Sequence, residues 1–109
     1  MQTINVQALR SAFTIANDAA MLAAPGDDGG TCNFDTCTLS LPHSRRAEVE
    51  EAAAGTGIRA RAEKWIGECF FLSSSASVGQ GFSRTRVAEA MRDALKAAGF
   101  DAMVYYQMD

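Results

Sequence analysis

At 109 residues, with 48% hydrophobic and 21% charged residues, the chain has the make-up of one globular domain and not of a disordered segment. A net charge of −3 and a pI near 5.0 exclude an unaided, non-specific grip on phosphate backbones, which takes clustered Lys and Arg. No apolar run approaches the roughly 20 residues of a membrane span, and the opening MQTINVQALR lacks the basic and apolar regions of a secretory signal, so the expected location is the cytoplasm, with no membrane partner.

Asn5 or Thr3 can cap a first helix, in which Val6, Leu9, Phe13, Ala16 and Ala20 recur at steps of three and four residues and form an apolar stripe. The helix is predicted to end near Ala24, where Pro25-Gly26 and Asp27-Asp28-Gly29-Gly30 make an acidic connecting loop over residues 25–31. From Phe34 to Leu41 the residues alternate, with Cys37, Leu39 and Leu41 on one side and Thr36, Thr38 and Ser40 on the other, which predicts a half-buried strand. Pro42 ends it. Ser44 is then a suitable N-cap for a short helix to about Ala54 that has only Val49, Ala52 and Ala53 to bury.

After Gly55-Thr56-Gly57 the alternation resumes, with Ile58, Ala60 and Ala62 inward and Arg59, Arg61 and Glu63 outward. Lys64-Trp65 breaks the phase, predicting a bulge or early turn, and Gly67 suits the hairpin turn before a strand at Cys69 to Ser73. A serine-rich stretch to Gly81 leads into the best-patterned helix, with Val87, Met91, Leu95 and Ala98 as its buried stripe and Gly99 as its stop. Ala102 to Met108 closes the chain as a strand.

Phe34 to Ala62 and Cys69 to Met108 therefore repeat one phrase, strand, helix, strand, and in tandem they spell βαββαβ. The expected fold is α+β and ferredoxin-like: a four-stranded antiparallel sheet with helices on one face, plus an additional N-terminal helix. Residues 1–109 form a single domain, divided into the helix at 1–24, the loop at 25–31 and the βαββαβ unit at 32–109. The N-terminal stripe needs a cover, either the sheet or another chain, so a homodimer is among the expectations.

Cys32, Cys37, His43 and Cys69 make up a Cys3His complement of the kind that binds zinc, but the spacing is wrong for close ligand pairs and Cys37 shares the parity of Leu39 and Leu41. The odd cysteine count fits reduced thiols. The expectation is no metal and no cofactor. Cys37 with His43 as thiol and base, or Ser44 with His43, would be the enzymatic readings, and sequence adjacency alone supports neither. Asp27, Asp28, Asn33 and Asp35 offer oxygen ligands without the order of a calcium loop.

Gly79-Gln80-Gly81-Phe82-Ser83-Arg84-Thr85-Arg86 is the most informative local segment. Basic residues in a helix's first turn oppose its dipole unless an anion or acid offsets them. Arg86 can reach Glu89, but Arg84 has no acid at i+3 or i+4. Ser83, Arg84, Thr85 and Arg86 are thus candidates to hold a phosphate or carboxylate, although the segment is neither a P-loop nor a dinucleotide fingerprint. At Ser44-Arg45-Arg46 the nearby Glu48 and Glu50 neutralise a similar argument. On the outward sheet face, Thr36, Thr38, Ser40, Arg59, Arg61 and Tyr105 could meet RNA or a protein, but the aromatic run of sheet-face RNA binders is missing.

The resulting expectation is a small non-enzymatic protein-interaction module. Its size and simplicity suggest an inhibitor or adaptor of the kind made by phages and mobile elements, such as an anti-CRISPR acting on a nucleic-acid-processing complex. The alternative is a binding domain for a nucleotide or nucleic acid at Gly79 to Arg86, and the third reading is an enzyme using His43 and Cys37.

Overall fold

The computed structural model describes residues 5–26, 35–42, 44–63, 69–76 and 82–107. Along the chain these form α1 (Val6–Ala23), β1 (Thr36–Ser40), α2 (Arg46–Ala53), β2 (Ile58–Glu63), β3 (Cys69–Ser74), α3 (Phe82–Ala97) and β4 (Asp101–Tyr105). The architecture is α+β, with three helices and one four-stranded sheet of order β2-β3-β1-β4 in which every neighbouring pair is antiparallel. The predicted bulge at Lys64-Trp65, the turn at Gly67, and Cys32, His43, Gly79 and Gly81 lie outside the described residues.

The pleat sorts the strands onto two faces. Cys37, Leu39, Ile58, Ala60, Phe70, Leu72 and Ala102 turn inward and share one core with Val49, Ala52, Val87, Met91 and Leu95 of the helices, and Val104, of the same parity as Ala102, is also buried. Strand alternation places these side chains on one side because successive residues point to opposite faces. Full burial of each Leu or Phe contributes about 1.5–3 kcal/mol, so this layer carries most of the stability.

α1 settles where the N-terminal stripe goes. Leu9, Phe13, Ala16 and Ala20 are fully buried in the same core, packed against α3 above all, then α2, with a smaller contact to β2. Neither the outward sheet face nor a second chain is needed to cover the stripe: it is met by the other two helices. Among the described residues the opposite sheet face stays uncovered.

Helix ends differ from the expected ones in instructive ways. Asn5 caps α1, its Oδ1 accepting from the Ala8 amide at 3.0 Å. α2 begins at Arg46 with Arg45 as its cap, not Ser44 as the sequence suggested, and Arg45 supplies no side-chain bond. The Ser44 amide donates instead to the Leu41 carbonyl at 3.1 Å, closing a turn through Pro42 that delays the helix by one residue. Gly99, at φ 93°, ends α3 as predicted, with the Phe100 amide on the Leu95 carbonyl and the Gly99 amide on that of Lys96. That pair of bonds is the Schellman arrangement, which favours glycine at the left-handed position.

Two strands are shorter than predicted, while β2 covers the predicted residues and β3 runs one residue further, to Ser74. β1 starts at Thr36, two residues after Phe34, and β4 stops at Tyr105 rather than Met108. At both ends Asp35 diverts the chain: its carboxylate takes the Gln107 amide at 2.9 Å and the Thr85 hydroxyl at 2.7 Å.

Candidate functional site

The first turn of α3 is built into the fold. Ser83 is buried. Arg84 Nε donates to the Asp35 backbone carbonyl at 3.1 Å, and the Thr85 hydroxyl donates to the Asp35 carboxylate. A carboxylate beside a helix N-terminus has the sign that the dipole favours there, and Asp35 places one against Thr85.

Arg86 reaches the far end of α1. Its Nε donates to the Ala23 carbonyl at 3.1 Å, and one terminal nitrogen lies 3.3 Å from each of the Ala24 and Pro25 carbonyls. Those carbonyls are the orphan acceptors of a helix C-terminus, where a cation is favourable. Glu89 accepts from the Tyr106 hydroxyl at 2.6 Å.

The uncovered sheet face brings Arg59, Arg61 and Tyr105 onto one surface and adds Phe71 and Met103. A row runs across it in register: Arg61 opposite Phe71, Phe71 opposite Thr38, and Thr38 opposite Met103. The Arg61 guanidinium carbon lies 5.8 Å from the Phe71 ring centre, within cation–π range. Phe71 and Tyr105 stand with ring centres 6.0 Å apart and a tilt of 35°, a favourable aromatic geometry. Thr38, expected outward, is only 8% exposed, because Phe71 and Met103 flank it on the neighbouring strands. Met103, on the edge strand β4, is 65% exposed, so the β4 side of this face presents apolar surface to solvent.

The charges of the same face cancel. Arg59 and Arg61 lie on β2, Glu63 follows them in the same parity with its carboxylate 3.2 Å from Arg61 Nε, and Asp101 lies on β4 opposite Ser40. Among the described residues of this face, two cations and two anions leave no excess positive field to draw a phosphate backbone.

Phe71 and Met103 were not singled out from sequence. Phe70-Phe71 is a doublet, and which ring faces inward depends on pairing with β1, where Leu39 opposes Phe70 and Thr38 opposes Phe71. The signal was present in the alternation of Phe70 and Leu72 against Cys69, Phe71 and Ser73, but adjacent aromatics leave the phase open.

The thiols are separated by the sheet. Cys37 lies in the core, while Cys69 has the parity of Phe71 on the opposite face, so the two cannot ligate one ion or pair with each other. Burial pushes the Cys37 thiol up to about 12, against a smaller opposing effect of Arg92. Burial and then Glu63 also raise Cys69. Both therefore sit as neutral thiols at pH 7, unlike an activated nucleophile.

A cleft of about 820 Å³ runs between α2 and β2 and is lined by Arg46, Glu50, Ala53, Ala54 and the β2 segment from Ile58 to Arg61, with Ser73, Ser74 and Ser75. Arg46 and Glu50 pair across one turn at 3.6 Å on its rim. Among the described residues no helix is long and apolar enough to cross a membrane, and no group of three His, Cys, Asp or Glu side chains could hold a metal ion. Comparison with protein-family models, with curated proteins and with solved structures found no match.

Proposed function

We propose that this protein is a non-enzymatic interaction module that binds another protein through its uncovered sheet face. The observation that carries the reading is the set Phe71, Met103 and Tyr105, apolar and partly exposed from β3 to the β4 edge, on a face that also holds Arg59, Arg61, Glu63 and Asp101. Protein interfaces have this make-up, with aromatic residues, Met and Arg enriched. Balanced charge on the face and a net charge of −3 favour a protein over nucleic acid. The partner's matching surface is apolar with an acidic flank to meet Arg59 and Arg61.

The finer fold assignment belongs to the same proposal. The order β1-α2-β2-β3-α3-β4 and the sheet order β2-β3-β1-β4 support a ferredoxin-like unit with α1 added to its helical side. A cytoplasmic setting is supported by Cys37 and Cys69 as separated free thiols. An inhibitor or adaptor role, as made by phages and mobile elements, is the form of binding that the small, site-poor chain suggests.

The test compares wild type with Met103→Asp and Tyr105→Ala as bait in host-cell extract, read by native mass spectrometry. A stoichiometric protein complex that forms with wild type and is lost in both variants, at unchanged melting temperature, is the expected result. Micromolar binding of short oligonucleotides or nucleotides at low salt that depends on Arg84 would replace this reading with phosphate-ligand binding at the α3 start.

A further inference from the structure

We propose that the outer edge of β2 is a strand-addition site for an extended peptide that alternates acidic and small apolar residues. The site adjoins the sheet face above and shares Arg59 and Arg61 with it, and its argument begins with the backbone. β2 stands at the end of the sheet order and pairs in unbroken register with β3 from Ile58 to Glu63. An edge strand presents a row of outward N–H and C=O groups, and an extended peptide can satisfy them as an additional strand. Six residues without proline or bulge give a template about 20 Å long.

The cleft beside that edge gives the peptide its room and its side-chain pattern. On the covered side Ala53 and the α2 cap Ala54 wall it and Ile58 and Ala60 floor it, with the Arg46–Glu50 pair on the α2 rim, so peptide residues that enter between α2 and β2 must be small and apolar. On the other side Arg59 and Arg61 point alternately outward from β2, and residues two apart on an added strand stand beside them. Arg61 already faces Glu63, while Arg59 is exposed and has no carboxylate within 4 Å among the described residues. Carboxylates at positions i and i+2 of the peptide complete the pairing, with an apolar residue between them to enter the cleft. Charged edge residues commonly deter strand pairing; here the deterrent is selective, since two arginines repel a basic strand and attract an acidic one.

The probe is a heptapeptide of alternating glutamate and valine, blocked at both ends, titrated into the full 109-residue chain at low salt and followed by amide NMR shifts and hydrogen exchange. Expected are saturable shifts and slowed exchange along Ile58 to Glu63, and loss of binding when the peptide amides that face β2 are N-methylated. A lysine-valine analogue should bind on the order of tenfold more weakly, and Arg59→Glu with Arg61→Glu should invert that preference. Equal binding of the two peptides, insensitivity to N-methylation of either alternate set of amides, shifts centred on Met103 and Tyr105, or no binding at millimolar peptide would each overturn the proposal. Because Met103→Asp leaves the β2 edge intact, peptide binding that survives in this variant keeps the edge site separate from the sheet-face reading.

Discussion

The Asp35 carboxylate accepts the Thr85 hydroxyl at 2.7 Å, tying the start of β1 to the first turn of α3 across 50 residues of chain. Its other oxygen takes the Gln107 amide, so one buried side chain fixes a strand, a helix start and the segment after β4. Asp35→Ala should cost about 3 kcal/mol, the scale of one or two hydrogen bonds to a charged group. Asp35→Asn, which keeps the shape and removes the charge, should cost about 1 kcal/mol. Urea unfolding of both variants checks the order. Inorganic phosphate should leave the wild-type melting temperature unchanged, since the α3 start already has its anion; a rise that disappears in Arg84→Ala would count against this account.

Arg86 joins two helices by their opposite poles, from the first turn of α3 to the last carbonyls of α1. Arg86→Met preserves much of the packing and removes the donors, so it should destabilise by about 1–3 kcal/mol and speed amide exchange in the last turn of α1 more than in β1. Arg86→Lys should recover part of the loss, because an ammonium keeps the charge without the fork that spans several carbonyls. Uniform exchange across the chain in Arg86→Met would show that the cap is not local.

Gly57 gives a sharper steric test. It sits at φ 89°, and a Cβ there would meet the Asn17 amide nitrogen as well as Ser75 Oγ at 2.9 Å. Asn17 is buried and binds the segment after β3, donating to Ser75 Oγ at 3.1 Å and accepting from the Ser75 amide at 3.2 Å. Gly57→Ala should therefore cost about 1–3 kcal/mol, from left-handed backbone strain compounded by the clash. In an Asn17→Ala background the steric part of that cost should shrink, so the double variant is less destabilised than the sum of the singles.

Periodicity made the elements legible. The stripe of Leu9, Phe13, Ala16 and Ala20, the Val87, Met91 and Leu95 face, and the Gly99 stop all lie where residue spacing places them, whereas Ala98, expected in that buried face, is exposed just past the end of α3. What spacing did not carry was pairing between distant residues. Arg84 has no acid nearby in sequence, yet Asp35, 49 residues away, lends it a backbone carbonyl. Arg86 looked set for Glu89 and caps α1, 61 to 63 residues away. The sheet-face cluster was half visible: Arg59, Arg61 and Tyr105 follow from strand parity, whereas Phe71 and Met103 need the register of β1 with both its neighbours. Side-chain bonds across the fold answer to geometry that local pattern does not encode.

Cys37 makes stability fall at high pH. Burial holds its thiol up at about 12, against 9.0 for the unperturbed group, so between those values the folded state keeps a proton that the unfolded chain releases. Stability is then fully present below pH 9.0 and declines as pH rises toward about 12, by at most about 1.4 kcal/mol per pH unit from this group. Cys69, also raised, adds a contribution of the same sign. Cys37→Ala should lower stability at pH 7, through the cavity it leaves among Leu39, Leu72 and Val104. Above pH 9 its curve should be flatter than wild type, because the titrating group is gone while Cys69 remains. Chemical denaturation at half-unit steps from pH 7 to pH 11 measures both slopes, and parallel curves for the two proteins would show that the Cys37 thiol is not held protonated by the fold.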